Sequence, residues 1–303
     1  MKNKKGLIFV LNIFLFATIH CNAQDLLNLL ENETPKVSLL TQATFKANRI
    51  LITQSVETRK KGTLELILGT RYWNMPNNDN SQSFGADRFS ANFGIQYAVS
   101  DRLTFGAAIT SYDGILNGFA KYRLVRQTTD KKVPLSITLV QAGSYFTRDF
   151  AMFMLPEDSS ERLSYATQAI LARKFSRNLS LQIVPTYIHS GSDQPVADVN
   201  DFFALGFGGR YKLSNHVSIA SEYGYLFGRN EGDEGFNLFS LGVNWEISDL
   251  IMQFSMTNSN GFDDIGAYII NPANFNFRPG RLRIGVNATY VFHLKKRKFK
   301  TNN

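Results

Sequence analysis

The last long patterned stretch of the chain, residues 281–294, alternates apolar and polar side chains with a period of two. The apolar members are Leu282, Ile284, Val286, Ala288, Tyr290, Phe292 and Leu294. The main polar members are Arg281, Arg283, Asn287, Thr289 and His293. This period is typical of a β-strand with two different faces. A strand that turns leucines to one side and arginines to the other suits a tilted crossing of a bilayer, with lipid on one face and a polar lumen on the other.

The same alternation recurs from residue 63 onward and predicts twelve strands. They cover residues 63–73, 87–99, 102–111, 115–127, 133–146, 162–175, 178–189, 201–213, 216–227, 235–247, 250–258 and 281–294. An even number of strands is usual for single-chain bacterial outer-membrane barrels. The predicted fold is therefore all-β, a single antiparallel up-and-down transmembrane barrel of about twelve strands in residues 63–294.

The connections between these strands alternate in length. The short set is 100–102, 127–132, 176–178, 214–216 and 248–250, and the longer, polar set is 74–86, 147–161, 190–200, 228–234 and 259–280. A tight Asp113-Gly114 hairpin is the exception in the longer set. Short periplasmic turns opposite longer extracellular loops are characteristic of outer-membrane barrels. This asymmetry predicts that both termini are periplasmic.

Aromatic residues cluster near the predicted strand ends. The group next to the longer, outer loops is Tyr72, Trp73, Tyr112, Tyr145, Phe146, Tyr187, Tyr225 and Phe227. The group toward the short, inner turns is Tyr97, Tyr211, Trp245, Tyr290 and Phe292. Aromatic rings favour the headgroup level of a membrane. Two groups separated by strand interiors predict two aromatic belts.

The first 23 residues have the features of a secretory signal peptide. Three lysines precede an apolar run from Gly6 to Ile19, and small or polar residues end at Ala23. The run is short for a retained transmembrane helix. Cys21 is preceded by Ile19-His20, which does not suit lipoprotein processing. Removal of residues 1–23 removes the one cysteine, so neither a disulfide nor a thiol nucleophile is expected in the mature chain.

Two segments flank the predicted barrel. Residues 24–62 form either a periplasmic lead-in that packs at the barrel mouth or a plug that enters the lumen. Residues 295–303 form a basic C-terminal tail. The whole chain has 33 basic and 25 acidic residues, but the leader and the tail hold eight of the basic ones. The remaining body is neutral, so the charge does not predict a nucleic-acid-binding face.

Short motifs in the N-terminal and early strand regions carry a family resemblance. They are residues 43–46 (ATFK), 55–58 (SVET), 61–65 (KGTLE), 101–104 (DRLT) and 118–122 (GFAKY). The chain resembles a family of Gram-negative outer-membrane β-barrel proteins, porin-like domains of unknown function. The resemblance implies a barrel in the cell outer membrane. It brings no substrate, catalytic residue or cofactor.

Strand parity predicts which polar residues face the lumen. The candidates are Glu65, Arg71, Arg88, Gln96, Lys121, Arg123, Gln168, Glu222, Glu246, Gln253, Arg281 and Arg283. Both signs of charge are present, so the list does not predict strong selection for anions or cations. These residues either pair and fill a narrow interior or line a water-filled pore.

Enzymatic and metal chemistry have little support in the sequence. His189-Ser190 is the one suggestive pair for an outer-membrane lipid hydrolase, but adjacent strand residues point to opposite faces. Residues 77–81 and Asp263-Asp264 offer oxygen ligands without the spacing of a calcium loop. No catalytic residue, metal site or cofactor is therefore predicted.

The sequence favours a porin-like pore, or a passive structural barrel, for small polar solutes, without catalysis. The alternative is a protein whose outer loops, chiefly 259–280 and 147–161, bind a partner, and a lipid hydrolase is the third hypothesis. The expected partners are outer-membrane lipid, small polar solutes and, during insertion, the barrel-assembly machinery. Nucleic acid is not expected.

Overall fold

A computed structural model describes residues 39–74, 87–112, 114–147, 162–191, 200–228, 235–269, 271, 273–275 and 282–294. Twelve strands and one short helix, α1 (Gly266–Ile269), lie in these ranges. The strands are β1 (Thr63–Trp73), β2 (Arg88–Ala98), β3 (Leu103–Thr110), β4 (Ile115–Val125), β5 (Ser136–Phe146), β6 (Leu163–Lys174), β7 (Leu179–His189), β8 (Asp201–Lys212), β9 (Val217–Leu226), β10 (Leu238–Ile247), β11 (Leu250–Thr257) and β12 (Arg283–His293). Within the described ranges, none of the helical structure is long and apolar enough to span a membrane.

The strands form one closed antiparallel barrel. Each pairs with its neighbours in sequence, and β1 pairs with β12 from Thr63 opposite His293 to Tyr72 opposite Ile284. The predicted all-β up-and-down barrel of twelve strands is confirmed. Predicted and observed ends differ by at most three residues. The largest differences lie at the starts of β5 and β10, and at β5 a backbone hydrogen bond from Thr128 to Val133 closes the turn before the strand begins.

Side chains alternate between a buried inner face and an exposed outer face along every strand. On β1, Glu65 and Arg71 are each 1% exposed, while Leu66 and Leu68 are 43% and 45% exposed. The same inversion appears on β2, where Gln96 is buried and Ile95 is exposed. A soluble protein buries its apolar face, so a polar inside and an apolar outside require lipid as the surrounding solvent.

Three of the short turns share the same serine side-chain hydrogen bonds. Ser100, Ser176 and Ser214 each accept hydrogen bonds through Oγ from the backbone N–H groups two and three residues later, at 3.0–3.2 Å. Such side-chain turns satisfy N–H groups that no strand ladder can reach. The serine that begins each of these connections therefore sets the tight geometry that the sequence predicted.

Removal of one of these serine hydroxyls should weaken the barrel slightly. We expect Ser176→Ala to lower the free energy of unfolding by about 1 kcal/mol, since two exposed N–H groups exchange a fixed acceptor for water. Arg177→Ala, in the same turn, is the matched control and should change it by less than about 0.5 kcal/mol. Urea titration of the protein folded in lipid vesicles measures both. Equal effects would show that the hydroxyl is not what stabilises the turn.

The two aromatic belts are present, with a correction to the outer one. The inner group, including Tyr211 and Trp245, is exposed on the outer face of the barrel, as are Tyr225 and Phe227 at the other end. Trp73 and Phe146, however, are 5% and 3% exposed and lie on the inner face of their strands. Tyr112 makes an edge-on contact with Trp73. Trp73 and Phe146 were therefore wrongly assigned to the lipid belt, because closeness to a strand end was counted without strand parity.

Candidate functional site: the filled interior of the barrel

Most of the residues predicted to line the lumen lie on the inner face of the wall. Those that are buried there are Glu65, Arg71, Gln96, Lys121, Arg123, Gln168, Glu222, Gln253 and Arg283, and Glu246 is half-buried. Arg88 differs because it is exposed at the first residue of β2, at the rim. Arg281 lies outside the described residues. The interior is thus lined by charged and amide side chains of neighbouring strands.

Residues 43–58, here called the inserted hairpin, lie among these side chains. The segment turns back on itself through hydrogen bonds from Ile50 N to Thr53 O and from Ser55 N to Asn48 O. Its apolar tip, Ile50 to Ile52, is 1% exposed. A hairpin so small buries its tip only because the barrel wall surrounds it.

Glycines on the inner face make room for the apolar tip. A Cβ at Gly208 would overlap the Cδ1 atom of Ile50, and one at Gly242 would lie 2.8 Å from Leu51 Cδ2. Real Cβ atoms do not approach that closely. The absence of a side chain at these two positions is therefore what lets the hairpin seat against the wall.

Glu222 binds the tip of the inserted hairpin. Its carboxylate accepts hydrogen bonds from the backbone N–H groups of Leu51, Ile52 and Thr53 at 3.0–3.3 Å, and from the Thr53 hydroxyl at 2.6 Å. Successive backbone N–H groups that converge on one anion form a favourable anion site. A single wall carboxylate thus satisfies the N–H groups at the turn of the hairpin.

Cationic wall residues bind carbonyl oxygens of the inserted hairpin and of the two residues before it. Lys121 Nζ donates to the carbonyls of residues 48, 55 and 57 at 2.8–3.3 Å. Arg126, Lys174 and Arg210 donate to the carbonyls of residues 41 to 44. Amide side chains add to this, since Gln182 and Gln253 donate to the carbonyls of residues 54 and 50. The backbone of the segment is thereby hydrogen-bonded by the wall, as a buried irregular segment requires.

The connection after β11 also folds into the barrel. Residues 258–269, here called the inward loop, include Asp263 and Asp264 at 2% exposed and Tyr268 at 1%. Arg71 donates to the carbonyls of Ser259 and Gly261. The prediction that this part of the 259–280 connection is an outer binding loop is therefore wrong for the residues described. The other proposed binding loop, 147–161, lies outside the described residues beyond Thr147.

The two inserted segments contact each other inside the barrel. The Arg49 guanidinium binds both carboxylate oxygens of Asp264 at 3.1 and 3.3 Å, and Gln54 donates to the same carboxylate at 3.1 Å. The cavity that remains between the hairpin, the loop and the wall has a volume of about 40 Å³. A space of this size holds about two or three water molecules. The middle of the bore is therefore occupied by the protein itself.

Ion pairs join the hairpin region to the wall near the short-turn mouth. Arg123 pairs with Glu57 at 2.7 Å and Arg59 with Glu65 at 2.6 Å, and Lys46 pairs with Glu246. Two wider cavities, of about 410 and 360 Å³, open among these residues. The mouth at this end is thus roomy and charged, in contrast to the filled middle.

Sequence analysis missed several of the residues in this site. Lys174, Arg210 and Lys212 have the inner-face parity of their strands, so the alternation could have placed them in the lumen. Arg49 and Asp264 could not have been found in that way, because they lie in irregular segments where no period defines a face. Only the three-dimensional fold brings this pair together.

The residues that suggested other chemistry do not assemble into such sites. His189 Nδ1 lies 2.8 Å from Asp201 Oδ1, and its ring stacks on Tyr165. Ser190 is 1% exposed, whereas the His189 ring lies on the outer face with Asp201 and Tyr165. The part of the chain that is described holds no cluster of three or more His, Cys, Asp or Glu residues suited to a metal ion. Asp263 and Asp264 instead bind Ser144 and Arg49.

The sequence of residues 45–292 matches one family, described as a membrane-bound beta barrel domain (DUF5777). The chain belongs to this family. The match extends from the inserted hairpin to β12, so most of both lies within the family domain. A membrane-bound barrel with an even number of strands and an apolar outer face is an outer-membrane architecture, and the predicted localisation is confirmed. No curated protein matches the sequence.

Several solved structures of outer-membrane channels are similar to this chain. A NanC porin has 8% identity and a TM-score of 0.47, covering 75% of this chain and 98% of that one. A KdgM porin has 8% identity and a TM-score of 0.46, with coverages of 76% and 99%. An outer membrane channel from Pseudomonas putida F1 has 14% identity and a TM-score of 0.44, with coverages of 78% and 98%.

Proposed function

We propose that this protein is a plugged porin-like channel for small polar solutes, in which the inserted hairpin closes the bore. The observation that carries this proposal is the chemistry of the wall behind the hairpin. Lys121, Glu222 and Gln253 are charged or amide groups that bind the hairpin through its backbone. A bore lined in this way would be wetted once the hairpin left it.

A permanently filled barrel could close its interior differently. Wall residues would pair with wall residues, or apolar side chains would pack across the bore. Here each carboxylate on the inner face of the described strands, Glu65, Glu222 and Glu246, binds a residue of the inserted hairpin. The wall is therefore built around a segment that belongs to no strand, and such a segment is able to move without opening the barrel.

A comparison of the channel currents of the wild type and of the Gly208→Leu variant tests the proposal. Gly208→Leu places a side chain where Ile50 now packs, so the hairpin tip can no longer seat. Overpacking of this kind costs about 1–3 kcal/mol, so we expect the open time in planar bilayers to rise by about tenfold or more. The measurement is single-channel conductance of the full mature chain.

The neighbouring Gly209 provides the matched control. It lies on the outer face, where a Cβ would approach Leu181 Cδ2 at 3.3 Å, and Gly209→Leu should leave the wild-type record unchanged. Both variants should show the strand content of the wild type by circular dichroism. If folded Gly208→Leu protein passes no current, the barrel is a sealed structural element and the channel proposal is wrong.

Orientation and partners follow from the same proposal. The short turns and both termini face the periplasm, the inserted hairpin enters from that side after a cleaved leader of residues 1–23, and outer-membrane lipid covers the apolar face. Insertion uses the barrel-assembly machinery. The proposal includes no catalytic role. Residues 295–303 remain a basic periplasmic tail in this proposal.

A further inference from the structure

We infer that the opened bore selects anions, so that the solutes of this channel are small anionic molecules. The inference rests on the proposed function, because it concerns the wall that the inserted hairpin covers. It differs from the expectation that mixed charges leave the bore without preference.

The inner face of the described strands carries an excess of positive charge. Seven basic side chains have inner-face parity and are buried or half-buried, against three acidic ones, so the excess is four charges. These residues are Arg71, Lys121, Arg123, Lys174, Arg210, Lys212 and Arg283, and Glu65, Glu222 and Glu246. The sequence analysis included four of the seven basic residues, together with Arg88 and Arg281, which are not in this buried set. That list held six basic residues against three acidic ones, and the inner face described here carries seven against three.

The partners of these cations explain how the closed form holds the excess charge. Lys121, Lys174 and Arg210 donate to carbonyl oxygens of residues 42 to 57. Carbonyl groups solvate a cation without cancelling its charge. Arg123 is the exception, since it is paired with Glu57, and Glu57 belongs to the inserted hairpin.

Departure of the hairpin therefore removes solvating groups and leaves the wall charge in place. The carbonyls that bind Lys121 and Arg210 leave, and so does the carboxylate that neutralises Arg123. The carbonyl that binds Lys174 belongs to Gln42, directly before the hairpin. The three wall carboxylates stay, and so do Asp263 and Asp264 of the inward loop. Together they offset five of the seven basic charges, so an excess of two positive charges remains. Charges of one sign in a narrow, low-dielectric passage raise the local concentration of counter-ions. Anions should then enter and replace the carbonyl oxygens.

Reversal potentials of Gly208→Leu channels in a potassium chloride gradient test the inference. We expect chloride to permeate at least about threefold better than potassium, because the wall carries the excess of positive charge. Lys174→Glu with Arg210→Glu, added to this background, balances the wall charge and should abolish the preference. A current with equal or greater potassium permeability would overturn the inference and leave the channel proposal standing. The absence of any current in folded protein would overturn both.

Two exposed arginines provide the charge-matched control. Arg102 and Arg177 lie in the β2–β3 and β6–β7 turns, and Arg102→Glu with Arg177→Glu changes the total charge of the chain by the same amount at the same end of the barrel. Anion preference should survive this pair of substitutions. Its loss would assign the selectivity to the surface charge of the protein and overturn the role of the inner wall.

A second measurement of anion preference does not require the Gly208→Leu substitution. Gln42 is exposed at the roomy mouth, and its carbonyl accepts a hydrogen bond from Lys174 at 2.9 Å. In Gln42→Cys protein, an anionic thiosulfonate reagent should react several-fold faster than its cationic analogue, relative to their rates with free cysteine. Lys174→Glu with Arg210→Glu should reduce this ratio. Equal rates, or a faster cationic reagent, would overturn the inference.

Discussion

Replacement of Glu222 by leucine should lower the free energy of unfolding by about 3 kcal/mol or more, since each buried donor left without an acceptor costs about 1–3 kcal/mol. Glu222 accepts three backbone N–H groups and one hydroxyl from the hairpin tip. Leucine accepts none of these hydrogen bonds, and its apolar side chain would contact the unpaired N–H groups of the hairpin tip. The measurement is urea titration of the folded protein in lipid vesicles. We also expect the hairpin to become accessible to protease at a lower urea concentration than the barrel unfolds.

Two variants separate this effect from general damage to the wall. Glu222→Gln keeps one oxygen acceptor and should retain part of the lost stability. Glu246→Leu changes another inner-face glutamate, which is half-buried and forms an ion pair with the partly exposed Lys46. It should cost less than about 1 kcal/mol. If all three variants are equally destabilised, the hydrogen bonds of Glu222 to the hairpin tip are not the cause.

The barrel could be predicted because its physics is local. One face of every strand contacts lipid and the other faces a polar interior. Each strand sequence therefore alternates apolar and polar residues with a period of two, as Leu66 and Leu68 alternate with Glu65 on β1. The ends of the strands were also predictable. Serine turns such as Ser214 to Val217 close the chain within four residues.

The contents of the barrel could not be predicted in the same way. Residues 43–58 and the inward loop have no regular period, and their apolar residues, such as Ile50 and Tyr268, pack into spaces left by glycines that are distant in sequence. The sequence therefore left a lead-in and a plug as alternative descriptions of residues 24–62. It also placed residues 259–269 outside, because polar residues in a long connection usually indicate an exposed loop.

Charge at the centre of the lipid face should be the most direct test of which side of β12 meets the membrane. Val286 lies between Thr70 and Phe254 of its neighbours, on the same face as the exposed Ile284 and Tyr290. We expect Val286→Arg to lower the free energy of unfolding in lipid vesicles by about 2–4 kcal/mol, the cost of an arginine near the bilayer midplane.

Depth, and not merely the outer face, should decide this cost. Leu294 follows β12 at its end and is 59% exposed, so Leu294→Arg should cost only about 0–1 kcal/mol, as at a membrane interface. A burial defect would act through packing and would persist in detergent, whereas a cost that comes from hydrocarbon should vary with the thickness of the lipid used. The apolar side of β12 does not face lipid if Val286→Arg costs no more than Leu294→Arg and if the cost of each is independent of bilayer thickness. The inner wall would then have to be reassigned as solvent-facing, because the period of two fixes both faces of the strand together.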